Sequence, residues 1–415
     1  MRQSHLFTKT LREAPKDEIC VNAVLLERGG FVQKVMAGVY AYLPLGFRVL
    51  EKVNNILRQE MNAVGGQELV MSALQPKDLW DKTGRWQELR AVMYQFKDLS
   101  ERDLGLAITH EEPLANIARR FISSYKDLPK YVYQIQLKFR NEPRAKSGLL
   151  RSREFLMKDL YSFDRDQAGL ARSYEMLKQA YSRYFTRLDL KAKVVEASGG
   201  AFTKEFTHEF QVPASAGEDN IIYCAACDFA QNKEIATLKA GAQCPKCDSA
   251  LAEGKSIEVG HIYKLGTKYS EALGLFYTDT DGAKQPVVMG SYGIGPGRAI
   301  GTIVETHHDD QGIIWPEAVA PFVIHIISLE GAEKQAEELY TALNQQGAEV
   351  LWDDRQDKTA GEKFADADLI GIPIRAVISP KTFRNGMVEI KRRKDPGAKL
   401  VRLEAFQNNW YDSAE

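Results

Sequence analysis

The front part of the chain contains both helical and strand-like patterns of apolar residues. Apolar positions recur at helical spacing over 46–62 and over 167–188, so each stretch predicts an amphipathic helix. Strict alternation over 131–140 (YVYQIQLKFR) predicts a half-buried strand with the tyrosine, isoleucine, leucine and phenylalanine side chains on one face. After a polar turn, residues 150–163 predict the return strand. Antiparallel strands between long helices indicate an α+β fold.

Three shorter segments complete this part of the chain. Residues 67–76 predict a strand that is closed by its final proline. Residues 109–122 predict a helix that starts after the threonine. Near 286–291 an apolar strand enters a glycine-rich turn, and a helix follows after Pro296.

The pattern changes beyond the segment WPEAVAP (315–321), which we interpret as a linker between two domains. Over 320–415, strand-like apolar segments alternate with helical ones. The predicted strands are FVIHIISL, AEVLWDD, PIRAVIS and MVEIKRR, and the predicted helices are GAEKQAEELYTALNQQG and KFADADLIG. This alternation predicts a small α/β domain.

Composition and charge exclude several classes of protein. The chain has 415 residues, 44% of them hydrophobic, which is enough for two or three domains. The 55 basic and 56 acidic side chains give a net charge of −1, which excludes a polybasic or polyacidic protein but not a basic face. The first twenty residues are charged and lack the apolar segment of a secretory signal. No apolar run reaches the roughly 20 residues of a membrane span, so we expect a cytoplasmic protein.

Four of the five cysteines form the pattern CxxC-x16-CxxC. In a cytoplasmic chain this spacing indicates metal binding rather than disulfides. Four thiolates suit a tetrahedral Zn²⁺ site, here formed by Cys224, Cys227, Cys244 and Cys247. The alternative is two unrelated pairs of reduced cysteines. Cys20 lies far from this pattern, and we expect it to be an ordinary thiol.

Arginines and a carboxylate surround the turn between the two predicted strands of the central hairpin. By strand parity Arg140 and Glu142 share one face, and Arg151, Arg153 and Phe155 share a face of the return strand. Arginine forks bind phosphate oxygens, a carboxylate accepts hydrogen bonds from an exocyclic amine, and a ring stacks on a base. The set predicts a nucleotide site on an antiparallel sheet. A solvated sheet face with ordinary ion pairs is the alternative.

Ser291 and Arg298 lie in the segment MGSYGIGPGR, where a strand enters the glycine-rich turn and a helix begins. The N-terminus of a helix attracts anions, and an arginine in its first turn adds to that attraction. The glycine spacing matches neither the dinucleotide-binding fingerprint nor a P-loop. Taken alone, a structural turn with Arg298 on the surface is the favoured interpretation.

Two segments, THEE and THEF, carry further candidates. Thr109 and Glu112 have the spacing of a capping box, which places Glu111 in the first helical turn. A functional interpretation uses Thr109 and Glu111 to hold an ammonium or imino group. His208 lies in THEF and, taken alone, is expected to be structural.

Taken in order, these segments resemble the class II aminoacyl-tRNA synthetases, in their bacterial prolyl form. The helix, the strand and Pro76 resemble motif 1, KFRNEPRAKSGLLRSREFLMKDLYSF resembles motif 2, and MGSYGIGPGR resembles motif 3. THEE, THEF, EVGHIYKLGTKYSEALG and the C-terminal segments LWDDR and GEKFADADLIGIP are also similar to this family. The resemblance covers nearly the whole chain. Because the segments occur in the family's order, together they identify the family specifically. It implies a class II antiparallel sheet flanked by helices.

The resemblance also implies roles for the candidate residues. Thr109 and Glu111 are expected to bind the imino group of proline, and His208 to line that pocket. The expected ATP-binding residues are Arg140 at the α-phosphate and the proline carboxylate, Glu142 at the adenine amine, Arg151 near the phosphates, Phe155 stacked on adenine, Ser291 shaping the adenylate pocket, and Arg298 at the γ-phosphate. Arg140 and Arg298 are then the expected catalytic residues.

The implied activity is the ATP- and Mg²⁺-dependent activation of L-proline and its transfer to the 3′ end of tRNA(Pro) by a homodimer. Asp354, Arg355 and Lys363 are candidates for reading the anticodon by their position alone. The implied domains are 1–216 and 257–316 for the catalytic domain, 217–256 for a zinc-ribbon-like insertion, and 320–415 for the anticodon-binding domain.

The insertion bears on fidelity, because many bacterial members of this family carry a large editing domain at that place. We expect a zinc staple instead, and therefore no removal of alanine from mischarged tRNA(Pro). Contact of the ribbon with tRNA through Lys233, Lys239 and Lys246 is an alternative role. One departure from the family is Thr203-Lys204, which stands where a Gly-Gly pair is usual.

Three competing functions stay open at this point. The first is a threonyl-type class II synthetase, whose active site is similar. The second is a synthetase-like paralogue that does not charge tRNA, although Arg140, Glu142 and Arg298 are all present. The third is a zinc-ribbon nucleic-acid-binding protein, for which the ribbon is too small a share of the chain.

Overall fold

The computed structural model describes residues 1–16, 18–199 and 206–411. It divides into two compact units, which we describe separately. The central unit comprises Met36–Val39 and Val53–Thr302, and the terminal unit comprises Met1–Val35, Tyr40–Lys52 and Ile303–Glu415.

The described helices range from one turn to more than five turns. They are α1 (Val21–Arg28), α2 (Pro44–Ala63), α3 (Lys77–Asp81), α4 (Arg85–Glu88), α5 (Glu111–Ala118), α6 (Gln167–Arg187), α7 (Lys268–Leu273), α8 (Pro296–Thr306), α9 (Glu333–Gln345), α10 (Ala360–Ile370), α11 (Pro380–Arg384) and α12 (Leu403–Asn408). Among the residues that the structure describes, no helix has the length and apolar content needed to cross a membrane.

The described strands are mostly short, and the longest run through the central unit. They are β1 (Val32–Met36), β2 (Val39–Tyr42), β3 (Gln67–Glu68), β4 (Leu74–Pro76), β5 (Gln95–Lys97), β6 (Asp103–Leu106), β7 (Lys130–Phe139), β8 (Glu154–Asp164), β9 (Lys193–Ala197), β10 (Thr207–Pro213), β11 (Asp219–Cys224), β12 (Ala230–Asn232), β13 (Leu251–Gly266), β14 (Phe276–Thr278), β15 (Lys284–Pro286), β16 (Val288–Ile294), β17 (His308–Asp309), β18 (Gly312–Ile313), β19 (Ile324–Ser328), β20 (Val350–Asp353), β21 (Ile374–Ile378), β22 (Met387–Arg392) and β23 (Lys399–Arg402).

The central unit is built on a nine-stranded sheet in the order β10-β9-β12-β11-β13-β16-β8-β7-β3. The strands β13, β16, β8 and β7 pair antiparallel and form its middle. The amphipathic helix α6 packs on β8, β13 and β16 and buries an aromatic stripe, in which the ring of Tyr181 lies 5.2 Å from that of Phe210. The predicted α+β fold with helices on an antiparallel sheet is confirmed.

The hairpin β7–β8 was predicted correctly, but the burial of its faces was not. Gln134 and Lys138, on the polar face of the alternation, are fully buried, whereas Leu137 on the apolar face is 39% exposed. Both polar side chains donate hydrogen bonds to the buried carboxylate of Asp159, at 3.0 and 2.8 Å. Burial of this polar face is therefore satisfied by hydrogen bonds and an ion pair.

The segment predicted as one strand over 67–76 forms two short strands in different sheets. β3 pairs parallel with β7 at the edge of the nine-stranded sheet. β4 pairs instead with β6, in a three-stranded sheet that β5 completes.

The predicted insertion over 217–256 is not separate from the central sheet. β11 and β13 are neighbours within that sheet, and β13 runs from Leu251 to Gly266 without interruption. The boundary expected at 256/257 therefore falls inside a strand. Only the cysteine loops between these strands project from the sheet as a ribbon.

The terminal unit contains the α/β domain that the sequence predicts. Its sheet has the order β20-β19-β21-β22-β23, with the first three strands parallel and the last two antiparallel. The chain's first residues also belong here: the N-terminal ammonium of Met1 donates to the carbonyl of Val350 at 2.6 Å, and the Trp352 amide donates to the Met1 carbonyl at 2.9 Å. The sequence analysis assigned these residues to the catalytic domain.

The segment interpreted as a linker, 315–321, is packed rather than loose. Trp315 is 3% exposed, its ring lies 5.2 Å from that of Phe31 at an interplanar angle of 48°, and it donates its indole N–H to the carbonyl of Ile370 at 3.0 Å. The segment is thus part of the core of the terminal unit.

Candidate active site

A cavity of about 410 Å³ opens on the face of the central sheet at the strands β7, β8, β13 and β16. Apolar side chains, such as Leu89, Val92 and Ile108, form part of its wall. Eight residues predicted from the sequence line it together: Thr109, Glu111, Arg140, Glu142, Arg151, Phe155, Ser291 and Arg298.

Glu111 forms an anionic wall of the cavity and is only 1% exposed. The hydroxyl of Thr109 donates to Glu111 Oε2 at 2.6 Å, and the hydroxyl of Ser291 donates to Oε1 at 3.1 Å. The capping box expected between Thr109 and Glu112 is wrong, because α5 begins at Glu111 with His110 as its N-cap and without a side-chain cap. Thr109 orients the carboxylate of Glu111 instead.

Arg85 is a site residue that the sequence analysis missed. It lines the cavity, is 5% exposed, and its Nη1 lies 2.9 Å from Glu112 Oε1 and 3.5 Å from Glu111 Oε2. Gly84 precedes it with a φ of 75°, a backbone conformation that favours glycine, and starts the one-turn helix α4. No periodic pattern marks this arginine, because its partners lie 26 and 27 positions away in the sequence.

Arg140 and Arg298 line the same cavity, where Arg298 Nη1 also pairs with Glu258 Oε2 at 3.1 Å. The Nε atom of Arg140 is buried and has no hydrogen-bond partner among the residues that the structure describes. The guanidinium of Arg140 lies 5.3 Å from the centre of the Phe155 ring. Burial and the nearby charge of Arg298 lower the pKa of Arg140. Arg298, in the first turn of α8, donates to the carbonyls of Leu150 and Glu258 at 2.9 and 3.0 Å. Such an arrangement suits an anionic ligand.

The residues of the β7–β8 turn lie beyond the strand ends, because β7 stops at Phe139. Arg151 Nε pairs with Glu142 Oε1 at 3.0 Å, and its Nη1 pairs with Glu218. Arg153, which strand parity placed beside them, instead donates to the carbonyls of Glu142 and Ala37 at 2.9 and 3.3 Å. It does not line the described cavity.

A second group missed from the sequence consists of Glu209, Glu258 and His261, whose possible ligand atoms lie within 4.8 Å of one another. His261 Nδ1 lies 3.1 Å from Glu258 and 3.7 Å from Glu209. Burial and the charge of Glu258 raise the pKa of Glu209. Burial alone raises that of Glu258, but the hydrogen bond with His261 and the charge of Arg298 outweigh it and lower the pKa to about 2. Glu258 and His261 are three positions apart, so strict alternation would place them on opposite faces; the register shift between Phe210 and Gln211, which leaves Val259 without a partner on β10, brings them to one face.

His208 does not line the described cavity, contrary to expectation. In the β10–β13 pairing it stands opposite Ile262, whereas its neighbour Glu209 stands opposite His261. Its Nδ1 is hydrogen-bonded to the hydroxyl of Tyr174 on α6 at 2.8 Å. Alternation along β10 therefore turns it to the helix side of the sheet. Thr203-Lys204, the departure from the family, lies outside the described residues.

The four cysteines of the CxxC pairs converge at the ends of β11 and β13. Their sulfurs lie within 4.8 Å of one another, with 3.4 Å between Cys224 and Cys247 and 3.6 Å between Cys227 and Cys244. A tetrahedral site with Zn–S bonds of about 2.3 Å requires sulfur separations of roughly 3.8 Å. Backbone amides of Ala226, Phe229 and Lys246 also donate to these sulfurs at 3.4–3.5 Å. The donor set and spacing fit zinc.

A second cavity, of about 680 Å³, lies in the terminal unit at the carboxyl ends of β19 and β21. Lys363 lines it, is 5% exposed, and donates to the carbonyl of Ser328 at 2.7 Å. Arg355 does not line it and pairs with Asp353 and Asp366, while Asp354 accepts from Ser4. The cavity also has cationic residues that the sequence analysis did not select: Lys358, Lys381 and Arg384.

The fold and the cavity define a class II aminoacyl-tRNA synthetase core with an attached anticodon-binding domain. Residues 94–307 match the family described as "tRNA synthetase class II core domain (G, H, P, S and T)", and residues 318–408 match the "Anticodon binding domain". The prolyl-tRNA synthetase of Cryptosporidium parvum, solved with L-proline and AMP, has the same fold, with a TM-score of 0.77 and 16% identity. That alignment covers 94% of this chain and 74% of the other.

Full-length relatives refine this class. The chain is 35% identical to a proline–tRNA ligase of Dehalococcoides mccartyi over 98% of both chains, and 36% identical to that of Moorella thermoacetica over 95% of both. The chain belongs to the proline–tRNA ligase family, as the motif order predicted. The first alignment runs over 556 positions, so at least 141 positions of that relative (556 less 415) have no counterpart here.

Proposed function

We propose that this chain activates L-proline with ATP and transfers the prolyl group to the 3′ end of tRNA(Pro). The observation that carries the proposal is the charge pattern of the cavity lining, which combines the buried carboxylate of Glu111 with the guanidiniums of Arg140 and Arg298. An amino acid bound beside ATP presents its cation to Glu111. Its carboxylate and the phosphates of ATP present negative charge to Arg140 and Arg298. The family membership of the chain supports the same assignment.

Each residue of the cavity then has a distinct role. Glu111, oriented by Thr109 and Ser291, binds the imino group of proline. Arg140 has an unsatisfied buried Nε for the carboxylate and the α-phosphate. The remaining roles are those of ATP recognition: Arg298 at the γ-phosphate, Arg151 near the phosphates, Glu142 at the adenine amine, and Phe155 stacked on the base.

These residues account for catalysis without a covalent nucleophile. A carboxylate oxygen of proline attacks the α-phosphorus of ATP, the bond to pyrophosphate breaks, and prolyl-adenylate forms. The terminal adenosine hydroxyl of the tRNA then attacks the prolyl carbonyl, and AMP leaves. The cavity contributes by holding the reactants together and by placing Arg140 and Arg298 around the developing negative charge.

Mg²⁺ is the expected companion of ATP, and Glu258 with Glu209 are the residues that would hold it. Carboxylate oxygens are the ligands that Mg²⁺ prefers, and the low pKa of Glu258 keeps this carboxylate ionised. The ion would supply charge neutralisation of the triphosphate.

The CxxC pairs are proposed to hold a structural Zn²⁺. The core beneath them is small and consists of Ile222, Leu251 and the buried cysteines, with a few flanking side chains, so the ribbon needs an additional link. Contact between this ribbon and tRNA receives less support, because Lys233 and Lys246 are engaged by Glu253 and Asp228. Because cysteines bind zinc only when they are reduced, we also propose that the protein is cytoplasmic, since thiols stay reduced in that compartment.

We also propose that the chain does not edit mischarged alanyl-tRNA. A small pocket rejects larger amino acids sterically, but it discriminates against a smaller one by only ~1–3 kcal/mol. The positions missing relative to the Dehalococcoides protein and the presence of a ribbon between β10 and β13 support the loss of an editing domain.

Anticodon binding is proposed for the cavity of the terminal unit. It combines Lys363 with Lys358, Lys381 and Arg384, which suits phosphates and base edges. Asp354 and Arg355 stay predictions from the sequence.

A homodimer is proposed on the basis of Val70 and Leu74, which are 78% and 53% exposed in the segment that resembles motif 1. A molar mass twice the chain's 46.7 kDa in light scattering supports the dimer, and the single mass excludes it.

Charging of a tRNA(Pro) transcript with radiolabelled proline, ATP and Mg²⁺ tests the main proposal. We expect wild type to accumulate prolyl-tRNA, and Glu111→Gln to lose about 100-fold or more in kcat/KM for proline, because the charged partner of the imino group is gone. The exposed Glu88→Gln is the matched control. A separate incubation with purified alanyl-tRNA(Pro) tests editing. We expect the enzyme to leave the hydrolysis of alanyl-tRNA(Pro) at its enzyme-free rate, and faster hydrolysis contradicts the absence of editing. Failure of wild type to charge supports a non-charging paralogue.

Zinc content distinguishes the metal site from two independent cysteine pairs. We expect one zinc per purified chain by mass spectrometry of the metal, and its loss in Cys244→Ser with a lower melting temperature, because the thiolate is a buried ligand. Cys20→Ser is the control and is expected to keep its zinc. Equal zinc content in both variants rules out the site.

The anticodon proposal predicts a defect that is confined to tRNA. We expect Lys381→Ala with Arg384→Ala to raise KM for tRNA about 10-fold or more, because each cationic contact contributes to binding. Pyrophosphate exchange without tRNA should be unchanged. Lys394→Ala with Lys399→Ala, two exposed lysines in the turn after β22 and at the start of β23, is the matched control. A loss of exchange, or an equal effect of the control pair, contradicts this assignment.

A further inference from the structure

Two carboxylates and one guanidinium lie together at the amino-acid wall of the cavity. Glu111 and Glu112 are 1% and 0% exposed, and Arg85 is 5% exposed. Arg85 Nη1 contacts both oxygens of Glu112, at 2.9 and 3.0 Å, but reaches Glu111 only at 3.5 Å. The arginine is thus closely paired with Glu112 and only weakly with Glu111.

Because of this difference in distance, Arg85 compensates the charge of Glu112 more closely than that of Glu111. Buried carboxylates without a counter-ion take up protons rather than remain charged. Arg85 offsets the charge of Glu112, to which Thr83 also donates a hydrogen bond at 2.8 Å. The other cations near Glu111 have their own partners or proposed roles, because Lys138 is paired with Asp159 at 2.8 Å and Arg140 is proposed to bind the carboxylate and the α-phosphate. Glu111 is therefore left with two hydroxyl donors and the longer contact to Arg85, so its charge is less closely paired than that of Glu112.

We propose that Arg85 is a positioning residue for the amino acid: by pairing with Glu112 it offsets the charge next to Glu111 and leaves the Glu111 carboxylate available for the imino group of proline. Neither Arg85 nor Glu112 needs to touch proline. The inference rests on the proposed function, because it assumes that the amino acid binds at Glu111.

The pair is also held rigidly, which suits a positioning role. The guanidinium of Arg85 lies 5.2 Å from the ring of Trp80 and 5.5 Å from that of Tyr269, and both rings are fully buried. Burial alone lowers the pKa of Arg85, but the charges of Glu111 and Glu112 raise it above its ordinary value. Arg85 is thus a permanent cation.

The two single substitutions have the same expected effect for opposite electrostatic reasons. Arg85→Gln removes the cation that lies between Glu111 and Glu112, and two adjacent buried carboxylates without that cation bind the imino group less well. Glu112→Gln leaves Arg85 with Glu111 as its remaining carboxylate partner, and the arginine then competes with proline. We expect each to raise KM for proline about 10-fold or more, the effect of one charged hydrogen bond, with KM for ATP unchanged within about twofold.

The double variant Arg85→Gln with Glu112→Gln is the sharpest test. It removes the ion pair as a unit and leaves Glu111 again as a single carboxylate, so we expect KM for proline to recover towards wild type. Arg85→Lys should recover part of the loss, since lysine keeps the charge without the fork. The control is Arg102→Gln, whose side chain is 75% exposed.

Amino-acid-dependent pyrophosphate exchange on folded variants, checked by circular dichroism, gives the result. A proline KM unchanged in Arg85→Gln, or losses that add in the double variant, overturns the inference and leaves Arg85 a packing residue. If Arg85→Gln does not fold, Glu112→Gln and Arg85→Lys carry the same comparison. Wild-type protein without proline-dependent exchange contradicts the proposed function itself, and this outcome is distinct from the failure of Arg85 alone.

Discussion

The active site depends on one buried ion pair, between Lys138 of β7 and Asp159 of β8. Both side chains are almost completely buried, and their atoms lie 2.8 Å apart. Asp159 also accepts hydrogen bonds from Gln134 and from Tyr161, whose hydroxyl oxygen accepts in turn from the backbone amide of His110. The pair therefore links the hairpin to the loop that aims Thr109 and Glu111. Removing one partner of such a pair leaves an uncompensated buried charge, at a cost of about 3–5 kcal/mol.

The cavity combines groups of both charges. Its lining includes the carboxylate of Glu111, held by Thr109 and Ser291, and the guanidiniums of Arg140 and Arg298, the latter held by the carbonyls of Leu150 and Glu258. β13 extends this organisation, since it begins at Leu251 in the cysteine ribbon and carries Glu258 and His261 to the cavity. The cysteine ribbon is therefore directly continuous with the strand that brings Glu258 and His261 to the site.

The sequence was informative where structure is local. The sequence predicted three kinds of element correctly: the strand over 131–140, the helix over 167–188 and the strands of the α/β domain. Each prediction depends on a pattern among residues only a few positions apart. The face that β7 buries was not predictable, since its partner Asp159 lies on the next strand, 21 positions beyond Lys138. Arg85 and the N-terminal residues on β20 were missed for the same reason: their contacts join distant parts of the chain. Of the candidate site, the motif residues were found, including Thr109 and Ser291, which orient Glu111, whereas Arg85, Glu209, Glu258 and His261 were not.

The most direct test of this account is amino-acid-dependent exchange of pyrophosphate into ATP, measured separately with proline, alanine, cysteine and threonine. A cavity that combines the carboxylate of Glu111 with the guanidiniums of Arg140 and Arg298 predicts strong exchange with proline and weaker exchange with alanine or cysteine. Exchange with threonine alone, or none with any of the four from folded, zinc-replete protein, contradicts it.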